Sequence, residues 1–332
     1  METFLQQLIN ALVVGSFYGL IALGYSMVYG IIRLLNFAHG DVYMLGAFLG
    51  FTILSLFTGQ SSVLGIGVAL LISMIVVGMI GIGIERTAYR PLLSSMSNFA
   101  EPSRLERIPL LRPLGRTITR LKELIRRSSS SSTSRLNLLI TAVGVSLVLE
   151  YSVMIIYGPR YHVYPVSLPQ DGIEILGMTI SYAKISVILI SFILMMLLHF
   201  FIQKTMYGKA MRSIAIDDTA TSLMGVPVFR MISLTFFIGS SLAAVAGTMV
   251  GLYYGQINFM MGFIAGMKAF TAAVIGGIGS VQGAMLGGLV LGVVETLGTV
   301  YVGGDWKDVF AFAILILFLT LKPTGLLGES VT

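Results

Sequence analysis

The sequence predicts an all-α, polytopic integral membrane protein, and two compositional observations carry that prediction. Hydrophobic residues make up 56% of the 332-residue chain and charged residues only 11%, whereas soluble domains carry roughly 25% charged residues. A soluble fold of this length has too little interior to bury so much apolar side chain. The 38 glycines fit closely packed membrane helices, and the absence of cysteine excludes disulfides and thiolate metal sites.

Apolar stretches long enough to cross a bilayer recur along the whole chain. A hydrocarbon core of about 30 Å requires about 20 apolar residues in a helix. The expected spans are Phe4–Ile32, Phe37–Phe57, Val63–Ile84, Leu136–Tyr157, Tyr182–Ile202, Val228–Tyr254, a glycine-broken stretch over Ile264–Val302, and Val309–Leu321. We therefore expect a single transmembrane domain over residues 1–332 with about 8–9 helices. The broken stretch either crosses twice or is re-entrant.

The distribution of Lys and Arg predicts the orientation. Eleven of the 21 basic residues lie in Glu85–Arg135, and a second basic loop covers residues 203–227. Because basic loops stay in the cytoplasm, both are placed inside, and Gly158–Ser181 is placed outside. Counting spans backward puts the N-terminus outside, and Lys322 favours a cytoplasmic C-terminus. Orientation in a membrane thus accounts for the net charge of +6, so we expect no nucleic-acid partner and expect contact with membrane lipid.

Residues 94–134 have the character of a cytoplasmic insertion. They contain three prolines, a basic stretch over Arg116–Arg127 and five consecutive serines at 128–132. Leu114–Ile125 can form a basic amphipathic helix on the anionic leaflet, and the serine run is typical of a flexible linker. A solvated loop that only orients the protein is the alternative interpretation.

Small residues recur every four positions in two ridges. The first comprises Gly239, Ala243, Gly247, Gly251 and Gly255, and the second comprises Gly279, Gly283 and Gly287. Such ridges let neighbouring helices approach closely. The run Gly276–Ser280 has three glycines and a serine in five positions, so we expect a break in the helix at membrane depth. Broken helices line solute paths in many transporters, which makes Gly276, Gly277 and Gly279 candidate path or gating residues.

Polar residues inside the predicted spans form a second set of candidates. Asn36, His39 and Asp41 lie between or within the first two spans, and Glu150, Lys268 and Glu295 lie within later ones. Ionisable groups at membrane depth are costly and face protein or water. We assign Asn36 and His39 to path lining or gating, with an interhelical hydrogen bond as the alternative. No second ligand accompanies His39 at metal-binding spacing, so we expect no metal site.

The second basic loop predicts a short cytoplasmic helix with an apolar face. Asp217 can cap a helix that begins at Asp218, and Gly225 followed by Pro227 ends it. The helix would present Ala220, Leu223 and Met224, a face that a membrane protein exposes only where something docks. Gly208-Lys209 is followed by Ala210 instead of Ser or Thr. It is therefore not a nucleotide-binding loop, and the chain should not hydrolyse ATP by itself.

Three segments resemble one protein family in order and spacing. They are Asn36-Phe37-Ala38-His39-Gly40, Gly208–Pro227 and Gly276–Ala284. The sequence resembles the permease subunits of bacterial ABC importers for branched-chain amino acids and the related urea and amide systems. The resemblance covers nearly the whole chain, and the loop is its most specific part. The insertion at 94–134 departs from the family's short connection.

The resemblance implies an importer of the bacterial inner membrane that takes up branched-chain amino acids or a related small polar solute. Its expected partners are a second permease, homologous or identical, two cytoplasmic ATPases and an external solute-binding protein. ATP would be bound by the ATPases, and this chain would hold no cofactor. The residues of the coupling loop would be Gly208, Arg212, Asp217, Asp218, Ala220, Leu223, Met224 and Gly225. The alternative is a secondary transporter or channel that works without ATP.

Overall fold

The helices begin and end close to the predicted spans. The computed structural model describes residues 2–33, 35–56, 63–96, 131–169, 171–175 and 178–328. The main helices are α1 (Glu2–Ile32), α2 (His39–Leu56), α3 (Val63–Ile84), α4 (Arg90–Met96), α5 (Ser131–Tyr157), α6 (Tyr182–Lys204), α7 (Met206–Ile216), α8 (Asp218–Leu223), α9 (Val228–Tyr254), α10 (Met261–Gly276), α11 (Val281–Tyr301) and α12 (Lys307–Leu321). The all-α, polytopic class is confirmed, because seven helices in the described residues are long and apolar enough to cross a membrane. The shorter α10 and α12 add two more apolar helices.

Two small antiparallel sheets, which the sequence did not predict, lie at one end of the bundle. Strand β1 (His162–Val163) pairs with β4 (Gln256–Ile257), with His162 opposite Ile257. Strand β2 (Gly172–Ile175) pairs with β3 (Met178–Ser181) in a hairpin. Gln6 Nε2 donates to Thr179 O at 3.4 Å, which places the start of α1 beside this hairpin. We call this side the hairpin end.

The other side, which we call the basic end, collects the basic residues of the described loops. Arg33 Nη2 donates to Ala215 O at 3.0 Å and joins the end of α1 to α7. The basic residues found here are Arg33, Arg86, Arg90, Lys204, Lys209, Arg212, Arg230 and Lys322. The two ends therefore differ in charge, as the sequence predicted.

Helices α1 and α9 form the centre of the bundle. We compare the share of buried residues in the most apolar stretch of each helix. It is 89% in α1 and 67% in α9, but only 22% in α3, 17% in α5 and 22% in α6. The fully apolar sequences of α3, α5 and α6 leave many large side chains exposed. Such faces suit lipid or another membrane subunit.

The boundaries of the predicted insertion change in the structure. The chain stays helical beyond Ile84, the last residue of α3. It continues through a π-helical turn (Glu85–Tyr89) into α4, which ends at Met96. Helix α5 begins at Ser131, so the end of the serine run is helical and not a linker. The predicted amphipathic helix at 114–125 and the rest of the insertion, 97–130, lie outside the described residues.

We predict that single cysteines at the two ends are reached from opposite sides of the membrane. Asp171 lies at the hairpin end and Thr219 at the basic end, and both are exposed. The chain contains no cysteine of its own, so each variant carries one thiol. Because basic loops stay in the cytoplasm, an impermeant thiol reagent should label Asp171→Cys in intact cells and Thr219→Cys only after permeabilisation. Labelling of Thr219→Cys in intact cells would show that the basic end faces outward, opposite to this prediction.

Candidate functional site

The segment after α6 forms two short helices at the basic end. Thr205 caps α7 by accepting a hydrogen bond from Gly208 N at 3.1 Å. Gly208 packs so closely on the backbone of Ile202 that no side chain fits there. Met211 and Ile214 are buried against the bundle, and Arg212 Nη1 donates to Gln203 Oε1 at 2.5 Å. Helix α7 is therefore fixed to α6. The sequence prediction missed this helix, although its apolar residues recur at helical spacing.

Helix α8 has the cap and the end that the sequence predicted. Asp217 Oδ1 accepts a hydrogen bond from Ala220 N at 2.9 Å, and Asp218 occupies the first turn. Gly225 has φ of +85°, a left-handed conformation that favours glycine. Thr221 is buried and attaches the helix to the protein.

The outer face of α8 is apolar and exposed. Leu223 is 81% exposed and Met224 is 85% exposed, and Ala220 beside them is also exposed. Ile216, at the end of α7, is a further exposed apolar side chain. Together these residues form an exposed apolar face at the basic end.

A large groove lies between these short helices and the ends of α1, α3 and α9. Its volume is about 2160 Å³. Apolar side chains such as Ile82, Ile232 and Phe237 line its inner part. The charged side chains that line it are Arg33, Arg86, Arg90, Arg212, Arg230 and Asp218. The groove is thus a cationic vestibule at the basic end.

The glycine break lies at the edge of this vestibule. Gly279 and Ser280 line the groove, and α11 starts directly afterwards with Ser280 as its cap. Because α11 has 21 residues, it spans the bundle by itself. The expectation that the break lies at membrane depth is therefore wrong, since it lies at the basic end of a full-length helix.

The C-terminal turn covers the first two glycines of the break. Leu326 N donates to Ile275 O at 2.8 Å and Leu327 N donates to Gly276 O at 2.9 Å, which satisfies free carbonyls at the end of α10. Gly277 (φ +105°) lies against the turn. Gly276 and Gly277 are therefore packed inside protein and do not line the vestibule.

Among the described residues, an irregular stretch of backbone inside the bundle directly precedes α2. Arg33 adopts φ of +54° where α1 ends, and the chain turns back into the bundle until His39 lies beside Gly24. Ile32 lies eight positions after Gly24 in α1, so the segment returns by about 12 Å. Helix α2 consequently begins within the bundle. The sequence signal for this re-entry was the polar Asn36-Phe37-Ala38-His39 cluster.

Asn36 and His39 are buried by neighbouring helices. Asn36 Oδ1 accepts a hydrogen bond from Tyr89 OH at 2.7 Å. The His39 ring packs edge-on against Tyr25 at 4.9 Å and lies between Gly24 of α1 and Gly239 of α9. Both side chains are at most 4% exposed. They fill the junction between the central helices and line neither of the described cavities.

Beside this junction, α2 and α10 cross with backbone in contact. Gly40 lies against the backbone of Gly262 and Gly266. Ser146 donates a hydrogen bond to Asp41 Oδ2 from α5. The start of α2 is thereby joined to α5 and α10 as well as to α1 and α9.

Of the three ionisable residues predicted within the later spans, Lys268 and Glu295 lie next to each other. Lys268 Nζ lies 3.3 Å from Glu295 Oε2, and both side chains are at most 4% exposed. Tyr18 OH donates to Glu295 at 2.9 Å. Glu150, on α5, is not part of this pair. The pair links α10, α11 and α1, and only the folded bundle brings its members together.

The chain is similar to known proteins over nearly its whole length. Residues 7–319 match a family model described as the permease component of branched-chain amino acid transport systems. The chain is 42% identical to the high-affinity branched-chain amino acid transport system permease protein BraD of Pseudomonas aeruginosa, with 98% of this chain and 96% of that protein covered. It is 40% identical to LivH of Salmonella typhimurium and 38% identical to LivH of Escherichia coli, with the same coverage. No solved structure matches the chain.

We predict that a side chain at Gly40 destabilises the bundle. In Gly40→Val, the new Cβ meets the backbone of α10, which cannot move aside as a flexible side chain can. Overpacking of this kind costs about 3 kcal/mol, so the melting temperature of the purified protein should fall by several degrees. The control is Gly144→Val on α5, where open space surrounds the glycine. Equal melting temperatures for the two variants would contradict the close crossing.

Proposed function

The chain belongs to the family of permease components of branched-chain amino acid transport systems, and we propose from this premise that it forms the translocation path of an ABC importer for branched-chain amino acids or a closely related small solute. It is a multi-pass membrane protein. A member of this family is a transport subunit that works with other ABC components and is not itself an ATPase. The observation that carries the proposal is the exposed, capped helix α8 with its unpartnered apolar face.

Helix α8 is the proposed coupling element. We place Ala220, Leu223 and Met224 in a groove of a cytoplasmic ATPase, with Asp217 and Asp218 fixing the start of the helix and Gly225 setting the angle at which it leaves. A small apolar face of this kind gives a partner a desolvated contact. ATP is bound by the ATPase subunits, and the energy of their closure reaches this chain through α8.

A chain of contacts connects α8 with the central helices. The Arg33–Ala215 hydrogen bond joins α7 to the end of α1, and Gly225–Pro227 leads from α8 directly into α9. These two helices enclose His39 at Gly24 and Gly239. A push on α8 and α7 therefore acts on the helices that hold His39, and we assign gating to Asn36 and His39 on this basis.

The cationic vestibule is the proposed inward mouth of the path. Gly279 lines it directly, whereas Gly276 and Gly277 are held by the C-terminal turn. We assign Gly279 to the wall of the mouth, where backbone without a side chain leaves room for a passing solute, and Gly276 and Gly277 to the packed turn that supports this wall. Closure at the His39 junction separates the vestibule from the hairpin end.

The complete importer requires further subunits. We propose a second permease, identical or homologous, two cytoplasmic ATPases and an external solute-binding protein at the hairpin end. The basic end then faces the cytoplasm, and the complex lies in a bacterial inner membrane. The exposed apolar sides of α3, α5 and α6 provide the surface for lipid or for the second permease.

We predict that charge on the apolar face of α8 uncouples the importer. In Leu223→Asp/Met224→Asp, docking buries an unpaired charge, which costs about 3 kcal/mol or roughly a hundredfold in affinity. ATPase copurification and solute-stimulated ATP hydrolysis in proteoliposomes should both fall, while membrane insertion is unchanged.

The matched control places the same charges at the other end. Val163, which is 78% exposed, and Tyr161, which is 68% exposed, lie at the hairpin end, so Tyr161→Asp/Val163→Asp should keep its ATPases. Full ATPase binding and stimulation in the α8 double variant would exclude α8 as the coupling element. It would then favour a transporter or channel that works without ATP.

A further inference from the structure

A π-helical turn joins α3 to α4 beside the start of α9. In this turn (Glu85–Tyr89), Arg90 N donates to Glu85 O, five residues back, instead of to the residue four back as in an α-helix. Such turns are rare and occur frequently at functional sites. Glu85 and Tyr89 are both buried, and their side chains contact parts of the protein that lie far apart in the chain.

One side of the turn is bound to α9. Ser233 Oγ donates to Glu85 Oε2 at 2.6 Å, and the Arg90 guanidinium lies 4.8 Å from the centre of the Phe229 ring. Ser233 and Phe229 are four residues apart, so they lie on one face of α9 in its first two turns. Since Gly225–Pro227 leads from α8 directly into α9, a displacement of α8 reaches the turn through these two contacts.

The other side of the turn is bound to the segment before α2. Tyr89 OH donates to Asn36 Oδ1 at 2.7 Å, and the Tyr89 ring packs on Phe236 with the ring centres 5.4 Å apart. Among the described residues, this is the one hydrogen bond that the Asn36 side chain makes. Tyr89 therefore determines where one of the two residues assigned to gating lies.

The π conformation sets the orientation of Glu85 relative to Tyr89. A π turn holds one residue more than an α-helical turn, and one residue corresponds to about 100° of rotation. If the turn became α-helical, α4 would rotate by about this angle relative to α3. Glu85 and Tyr89 would then not both keep their present partners. The contact with Asn36 thus depends on the π conformation of the turn.

The charges of this turn are only loosely paired. Glu85 Oε1 and Arg90 Nε are 3.9 Å apart, beyond hydrogen-bond distance. Both atoms are buried without a hydrogen-bond partner among the described residues. Buried polar groups without a partner are costly, so a rearrangement that joins them is favourable. Because Ser233 and Phe229 hold these two side chains, movement of α9 changes the distance between them.

From these contacts we infer that Tyr89 is a positioning residue of the gate and that the π turn carries the movement of α9 to Asn36. With α9 in its present position, Tyr89 holds Asn36 in the filled junction. Displacement of the start of α9 pulls on Glu85 and Arg90, changes the turn and releases Asn36. The inference rests on the proposed function, because it adds a link between α8 and the residues assigned to gating.

The test measures L-leucine uptake per ATP hydrolysed by the assembled transporter in proteoliposomes, with the binding protein present. Tyr89→Phe keeps the ring against Phe236 and removes only the hydroxyl. Uptake per ATP should fall about fivefold, the equilibrium effect of one lost hydrogen bond, while ATP hydrolysis continues. A fraction of unfolded transporter would lower uptake and hydrolysis together and would leave this ratio unchanged.

Two further variants locate the effect. Thr87→Val is the matched control, because the Thr87 hydroxyl in the same turn donates to Gly83 O of its own helix, and it should keep the wild-type ratio. Ser233→Ala breaks the contact with Glu85 and should lower the ratio as much as Tyr89→Phe does. Because the two contacts act in series, the double variant should be no worse than either single one, whereas independent effects would multiply to roughly twenty-fivefold.

Three results would overturn the inference. They are a wild-type ratio in Tyr89→Phe, an equal loss in Thr87→Val, and multiplied losses in the double variant. If Tyr89→Phe does not assemble, the comparison of Ser233→Ala with Thr87→Val decides in the same way. All of these results presuppose L-leucine uptake by the wild-type transporter. Absence of that uptake would instead count against the proposed function on which the inference rests.

Discussion

Close approach of α1 and α9 to their neighbours is the constraint on which the structure depends. Lipid is as apolar as the helices, so there is no hydrophobic gain from bringing them together, and association relies on packing. Gly247 lies on the backbone of α2, and Gly288 and Gly292 lie on the backbone of α1. At these crossings any side chain would hold the helices apart, so the central pair and everything attached to it depend on small residues.

The same packing explains how irregular backbone enters the bundle. Backbone without helical hydrogen bonds is tolerated at membrane depth only inside protein. The segment that begins with Arg33 satisfies this condition, because Tyr89 binds Asn36 and the His39 ring occupies the space left by Gly24 and Gly239. The junction therefore combines a tightly filled centre with a direct connection to the helices that α7 and α8 contact.

Charged residues inside the bundle likewise depend on groups from neighbouring helices. Lys268 and Glu295 would each be costly alone in hydrocarbon, yet together with Tyr18 they tie α10, α11 and α1 to one another. Lys307 and Asp308 extend the cluster to the surface. Packing by small residues and pairing of charges thus act at different heights of the same helices. The first positions the junction around His39, and the second positions the start of α12.

The sequence by itself determined the class, most of the helix boundaries and the charge asymmetry of the ends, because long apolar stretches and basic loops are local properties of the chain. It also predicted the cap, the end and the exposed face of α8, which depend on neighbouring residues from Asp217 to Gly225. Tertiary structure decided the rest. The four-charge cluster joins residues far apart in the chain, and the re-entry before α2 depends on glycines of other helices. The break at Gly276–Ser280 was predicted, but its height was not, since the full length of α11 and the C-terminal turn place it at the basic end.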